Sequence, residues 1–198
     1  GQDLRLYPEK MESCRRFANK IWNAGRYILL TIPLGTPTAP PEKVHSELAQ
    51  WLLHGLNDLI RHSQTGLEAH RLSDVVDSLR SFFWGEFCDW YLEMDKKPER
   101  TDEDNQVLAY SYSTLLKLMH PYVPFVTEAL WEQFKQPKML AVSEWPQEQS
   151  YSFSESHNRI ELLREAISQI RTLREKANIG LDKKIGATLD SEKNAELF

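Results

Sequence analysis

The sequence predicts an all-α protein: a bundle of four or five helices, then a long junction helix and one short strand. Three observations predict it. Apolar residues recur at intervals of three and four along most of the chain, which is the period of a helix with one buried face. Clusters of proline, glycine and polar residues interrupt that pattern at well-separated points. Only one stretch, Lys184–Leu189, has the composition of a strand, and a single strand cannot stand alone. The expected division is a bundle over 1–146, then a linker, the junction helix and the start of a small α/β piece over 147–198.

The elements follow in order. Pro8 suits the first turn of a helix, where its missing N–H costs nothing. From there to about Leu30 one apolar stripe holds Met11, Ala18, Trp22 and Leu29, flanked by Cys14, Ile21 and Ile28. Five prolines and glycines between Thr31 and Pro41 mark a loop. A second helix is expected from Pro41 to Ser63, with Val44, Leu48, Trp51, Leu52 and Leu59 on its apolar face. A third is expected from near His70 to Lys96, its large residues stepping from Leu72 to Met94 by threes and fours. Gly85 inside it should cost about 1 kcal/mol against alanine, so a close helix contact is expected there. A fourth starts at Thr101 or Asp102, where three carboxylates meet the positive end of the helix dipole. It runs to Met119, and Pro121 and Pro124 break it. A short fifth helix covers Phe125–Phe134, and the junction helix runs from Glu155 to Ala177, ended by Asn178 and Gly180.

Composition bounds the function. Apolar residues make up 41% and charged residues 27%, an ordinary globular balance. No uncharged apolar run approaches the eighteen or so residues of a membrane span, and the first residues lack the pattern of a signal peptide. The two cysteines, Cys14 and Cys88, make no disulfide framework or zinc spacing and read as small core residues in a reducing, cytoplasmic setting. The net charge of −5 disfavours general nucleic-acid binding, so RNA contact would need its cations gathered on one face. The six tryptophans are expected to anchor core or interfaces.

Such a face is present on the first helix. Opposite its apolar stripe lie Arg16, Lys20, Asn23 and Tyr27, spaced four, three and four apart with no carboxylate among them. Arg15 and Arg26 flank the row, and five cations stand against two carboxylates between Pro8 and Leu30. Cations for phosphates, an amide for base edges and a ring for an unpaired base suit a single-stranded RNA loop. The same row also suits a solvated helix face whose tyrosine packs on a neighbour. A second cluster, Arg171, Arg174, Lys176, Lys183 and Lys184, could touch an RNA backbone or form the polar side of an amphipathic helix.

Other chemistry finds little support. Glu86, Asp89 and Glu93 suit ion pairs along a helix better than acid–base catalysis. The six histidines show no i, i+4 pair for a metal. There is no glycine-rich phosphate loop and no serine elbow.

Four stretches carry a resemblance. RRFANKIWNAGRYIL, FFWGEFCDWYLEMDK, LLKLMHPYVPFVTEALWEQF with SEWP, and IRTLREKANIGLDKKI are similar to the anticodon-binding region of valyl-tRNA synthetases, with EFCDWYLE the most distinctive part. The resemblance runs over about residues 1–190. It implies a helical bundle of the class I synthetase type that binds the anticodon stem-loop of a valine tRNA, while the catalytic domain of the parent chain forms the aminoacyl adenylate. It also implies that Lys20 and Tyr27, the lysine and aromatic of the NKIW-type motif, contact anticodon nucleotides. The sequence departs from that family at LAQWLLHGL, where an aspartate–arginine pair is usual, and at Gly85, where a larger residue is usual. HIGH-type and KMSKS-type motifs do not occur, so no cofactor is expected here; ATP, with zinc or magnesium, would belong to the parent enzyme. A helical protein-interaction scaffold is the alternative reading.

Overall fold

The computed structural model describes residues 7–180 and 182–186. Within them the chain is helical and without strands. Lys184–Gly186, the first half of the expected strand, are irregular, and residues 187–189 lie outside the described residues.

Helix α5 (Asp102–Met119) is the axis of the bundle. Thr101 and Asp104 form a reciprocal capping box at its start, with the Thr101 N–H donating to Asp104 Oδ2 at 2.7 Å and the Asp104 N–H to Thr101 Oγ1 at 3.2 Å. Every residue from Val107 to Leu116 is buried. A helix enclosed on all sides needs neighbours on all sides, and the others supply them.

Helix α1 (Pro8–Thr31) begins at Pro8 and buries Ile21, Ala24, Gly25 and Ile28. This corrects the expected stripe: Met11 is 56% exposed and Trp22 42%. The buried face lies about a quarter turn round the helix from the Met11–Trp22–Leu29 line. Size decides it. A Cβ added at Gly25 would sit 2.5 Å from Leu130 and 2.6 Å from the Tyr112 hydroxyl, so α1 approaches closely only through its small residues. The Tyr112 hydroxyl completes the contact by donating to the Ile21 carbonyl at 2.8 Å.

Helix α2 (Glu47–Glu68) starts later than the sequence suggests. The Glu103 carboxylate accepts the amides of His45 and Ser46, at 2.9 and 3.2 Å, and Ser46 caps the helix by accepting from Ala49. Those bonds occupy the amides that an earlier start would need. The helix also runs past Ser63, because Gly66 seats against Val75 of the next helix, leaving no room for a side chain.

Helix α3 (Leu72–Ser81), a π-helical segment (Phe82–Tyr91) and helix α4 (Leu92–Met94) run on without a break. The π-helical segment is wider than an α-helix and re-aims the side chains it carries. Its Phe83, Phe87 and Tyr91 rings form a ladder with centroids 5.9 and 6.1 Å apart, and Tyr112 stacks on Phe87 at 6.0 Å. Gly85 faces open space, so the close contact expected there is absent.

Helix α6 (Pro124–Gln133) follows a turn in which His120 Nδ1 meets Thr127 Oγ1 at 2.8 Å. The chain then crosses the surface to α2, where the Asn57 amide pairs with the Gln149 backbone in both directions, at 2.6 and 3.0 Å. Helix α7 (Ser154–Lys176) docks its first half on α2. There the Trp51 indole N–H donates to Glu161 at 2.7 Å, Ser156 to Gln50 at 2.5 Å, and Arg159 pairs with Glu47 at 2.9 Å. Its second half projects, with Leu173 exposed, and ends at Asn178 in the left-handed region (φ 52°).

Candidate nucleic-acid interface

The quarter-turn rotation of α1 decides what its polar row can do. Arg16, Asn23 and Arg26 are exposed. Lys20 and Tyr27 lie on the flank that leans toward the neighbouring helices. Tyr27 is half-buried and packs against the core, and its carbonyl accepts from Thr31 at 2.7 Å. The Lys20 ammonium donates to Asp89 at 3.0 Å and stands 5.3 Å above the Trp84 ring. The row is therefore not clear of carboxylates. Asp89 belongs to the π-helical segment, sixty-nine residues away, and no spacing within α1 could have announced it.

The flank is a continuous cation–aromatic band. Phe17 stacks on Trp84 at 6.5 Å and meets Phe83 edge-on at 5.8 Å. Arg80 lies 5.8 Å over Phe17 and donates to Ser13 at 2.7 Å. Such cation–π contacts are worth about 0.5–1 kcal/mol each where exposed. They hold α1 against α3 while leaving Arg16, Asn23 and Arg26 facing solvent.

The second basic cluster is partly committed to structure. Arg171 lies 5.1 Å over Trp90, and Arg164 lies 5.0 Å from both Trp90 and Trp51, so Trp90 is held between two guanidinium groups. Arg174 donates to the carbonyls of Gly180 and Lys183, tying down the turn after α7. Lys176 is exposed.

Glu93 pairs with Lys96 at 2.7 Å, the kind of ion pair expected along this helix. Glu86 lines a cavity of about 350 Å³ with Asp58, His62 and His157, and burial pushes its carboxyl above the usual range. Burial likewise pushes the Cys88 thiol up to about 12. Cys14 is exposed rather than in the core: it stands in line with Ile21 and Ile28, but two turns nearer the start of α1, outside the stretch that α1 buries. Among the described residues no group of three or more histidine, cysteine or carboxylate side chains is placed to hold a metal, and no helix is long and apolar enough to cross a membrane.

Comparison with known proteins adds a second line. Residues 49–189 match the family model described as the anticodon-binding domain of tRNA ligase. The valine–tRNA ligase of Solibacter usitatus is 36% identical over 184 residues, covering 90% of this chain and 21% of its own length. That of Staphylococcus carnosus is 34% identical over 207 residues, covering 100% of this chain and 24% of its own. That of Bacillus subtilis is 34% identical over 194 residues, covering 93% and 22%. The chain spans about a fifth of the length of these relatives.

Proposed function

Because this chain belongs to the anticodon-binding domain family of tRNA ligases, we propose that it binds the anticodon stem-loop of a valine tRNA in support of ATP-dependent attachment of valine. The observation that carries this reading is the family match over 49–189, joined by alignment with valine–tRNA ligases over nine-tenths or more of the chain. In this reading the chain works in the cytoplasm beside the catalytic domain of a valine–tRNA ligase. ATP and any metal belong to that domain, and this chain contributes binding and orientation. The bundle over 1–146 reads the RNA, and the junction over 147–198 connects it.

Arg16 and Arg26 hold phosphates, Asn23 and Lys20 address base edges, and the open edge of Tyr27 stacks on a base. Lys20 must exchange Asp89 for RNA. That pair is exposed enough to be worth no more than about 1 kcal/mol, so the exchange is cheap. Arg171, Arg174 and Lys176 line a more distant stretch of backbone, with Lys176 the least engaged by the protein.

The test is a titration of the 198-residue chain with stem-loops carrying a valine or an isoleucine anticodon, at low and moderate salt. The expected result is preference for the valine loop and a steep loss of affinity with salt, as released counterions demand. Binding to neither loop, or affinity indifferent to salt, favours the protein-interaction scaffold instead.

A further inference from the structure

The rotation of α1 leaves an unexpected residue on its outer side. Opposite Ile21, Ala24, Gly25 and Ile28 lies a line of Arg15, Asn19, Trp22 and Arg26, spaced four, three and four apart. All four are exposed. This repeats the chemistry of the Arg16–Tyr27 row with all four members exposed, whereas Lys20 and Tyr27 of that row are half-buried. Its aromatic member is 42% exposed and lies outside the core cluster, whereas Tyr27 packs against that core.

We propose that Trp22 is a base-stacking platform of the anticodon-binding face, with Arg15 and Arg26 as the phosphate contacts on either side of it. The proposal rests on the function proposed above and names residues that the resemblance does not. Its occupant is the unpaired strand of an RNA loop, for three reasons. An indole is the largest stacking surface a side chain offers, and stacking of this kind is indifferent to base identity. The charge along the line is cationic: the neighbouring carboxylate, Glu12, lies 3.7 Å from Arg15, and Arg26 and Asn19 sit on either side of the ring without an acidic residue between them. The line spans about 16 Å along the helix axis, so the two guanidinium groups bracket the ring within one extended contact.

The line also separates two tasks that the sequence reading gave to one. Lys20 and Tyr27 also secure α1 to the bundle, whereas Arg15, Asn19, Trp22 and Arg26 are exposed and left to the ligand. A tryptophan buried as the sequence suggested would destabilise the fold when truncated; this one should not.

The test compares Trp22→Ala, Trp22→Phe and Tyr27→Ala in stem-loop titrations, with thermal melts of each variant. Trp22→Ala is expected to melt close to wild type and to lose about five- to hundredfold in affinity. Trp22→Phe should recover most of that loss, because it keeps a stacking ring. Arg15→Gln and Arg26→Gln should each lower the slope of log affinity against log salt by about one. Wild-type affinity in Trp22→Ala, while the wild-type chain itself binds, overturns this assignment and leaves the anticodon reading standing. Absence of binding by the wild-type chain overturns both.

Discussion

The Lys20 ammonium of α1 lies 3.0 Å from the Asp89 carboxylate of the π-helical segment, joining the helix proposed to meet RNA to the helix that braces it. The carboxylate competes with RNA for the same cation. Asp89→Asn should release Lys20 and raise stem-loop affinity about two- to fivefold at low salt, with a salt slope steeper by about one. Stability should change by less than about 1 kcal/mol, since both partners keep substantial contact with solvent. Titrations at several salt concentrations check this, and a fall in affinity would show that Asp89 positions Lys20 rather than restrains it.

Gly25 and Gly85 should respond oppositely to alanine. At Gly25 the new methyl would meet Leu130 and Tyr112, and overpacking of this kind costs about 1–3 kcal/mol. At Gly85 nothing lies within 4 Å, so alanine should stabilise by up to about 1 kcal/mol through helix propensity. Chemical denaturation of the two variants measures both. A destabilised Gly85→Ala would mean that the π-helical geometry itself requires glycine.

The docking of α7 on α2 should weaken in mild acid. The His54 and His157 rings lie 4.5 Å apart across that contact. Burial, and then the neighbouring His54, push His157 below its ordinary 6.5, against smaller opposing effects of Glu161, the Trp51 backbone and Asp58. A lowered histidine binds its proton more weakly in the fold than in the unfolded chain, so its contribution is present above about pH 6.5 and is lost as pH falls below that value. Burial pushes Glu86, beside it, upward, which works in the opposite sense, so the decisive comparison is with His157→Phe. The melting temperature of the wild type should drop more between pH 7.5 and 5.5 than that of the variant; equal drops would remove His157 as the cause.

Arg100 should matter to folding and not to RNA. Its guanidinium bonds Asp95 at 2.6 Å, Asn105 at 2.9 Å and the Asp104 carbonyl at 3.1 Å, clamping the loop into α5. Removing one member of a buried pair leaves the other charge uncompensated, so Arg100→Ala should cost about 3–5 kcal/mol. The folded fraction should bind stem-loop with wild-type affinity, as judged by titration at low temperature beside a denaturant melt.

Much of the helix inventory was legible because helix ends are written locally. Pro8, Thr101 with Asp104, Pro124 and Asn178 each act on backbone groups within a turn of themselves, and each ends or starts a helix where expected. The start of α2 was not legible. It depends on Glu103, which is remote in sequence and takes the amides of His45 and Ser46. The candidate site divides in the same way. The cationic, carboxylate-poor character of α1 can be read from its residues, but which of its two adjacent apolar arcs would be buried cannot. Hydrophobicity favours Met11 and Trp22; the approach of Tyr112 and Leu130 selects Ala24 and Gly25.

By itself the sequence determined an all-α chain, the segments that become helices, and a first helix carrying more cations than carboxylates, because periodicity, caps and charge act within a few residues. Only the tertiary structure decided that Trp22 faces outward, that Lys20 is held by Asp89, and that Trp90 lies between Arg164 and Arg171. Those outcomes depend on which surfaces are small enough to approach one another across the bundle, and close packing between distant segments leaves no periodic trace in either one.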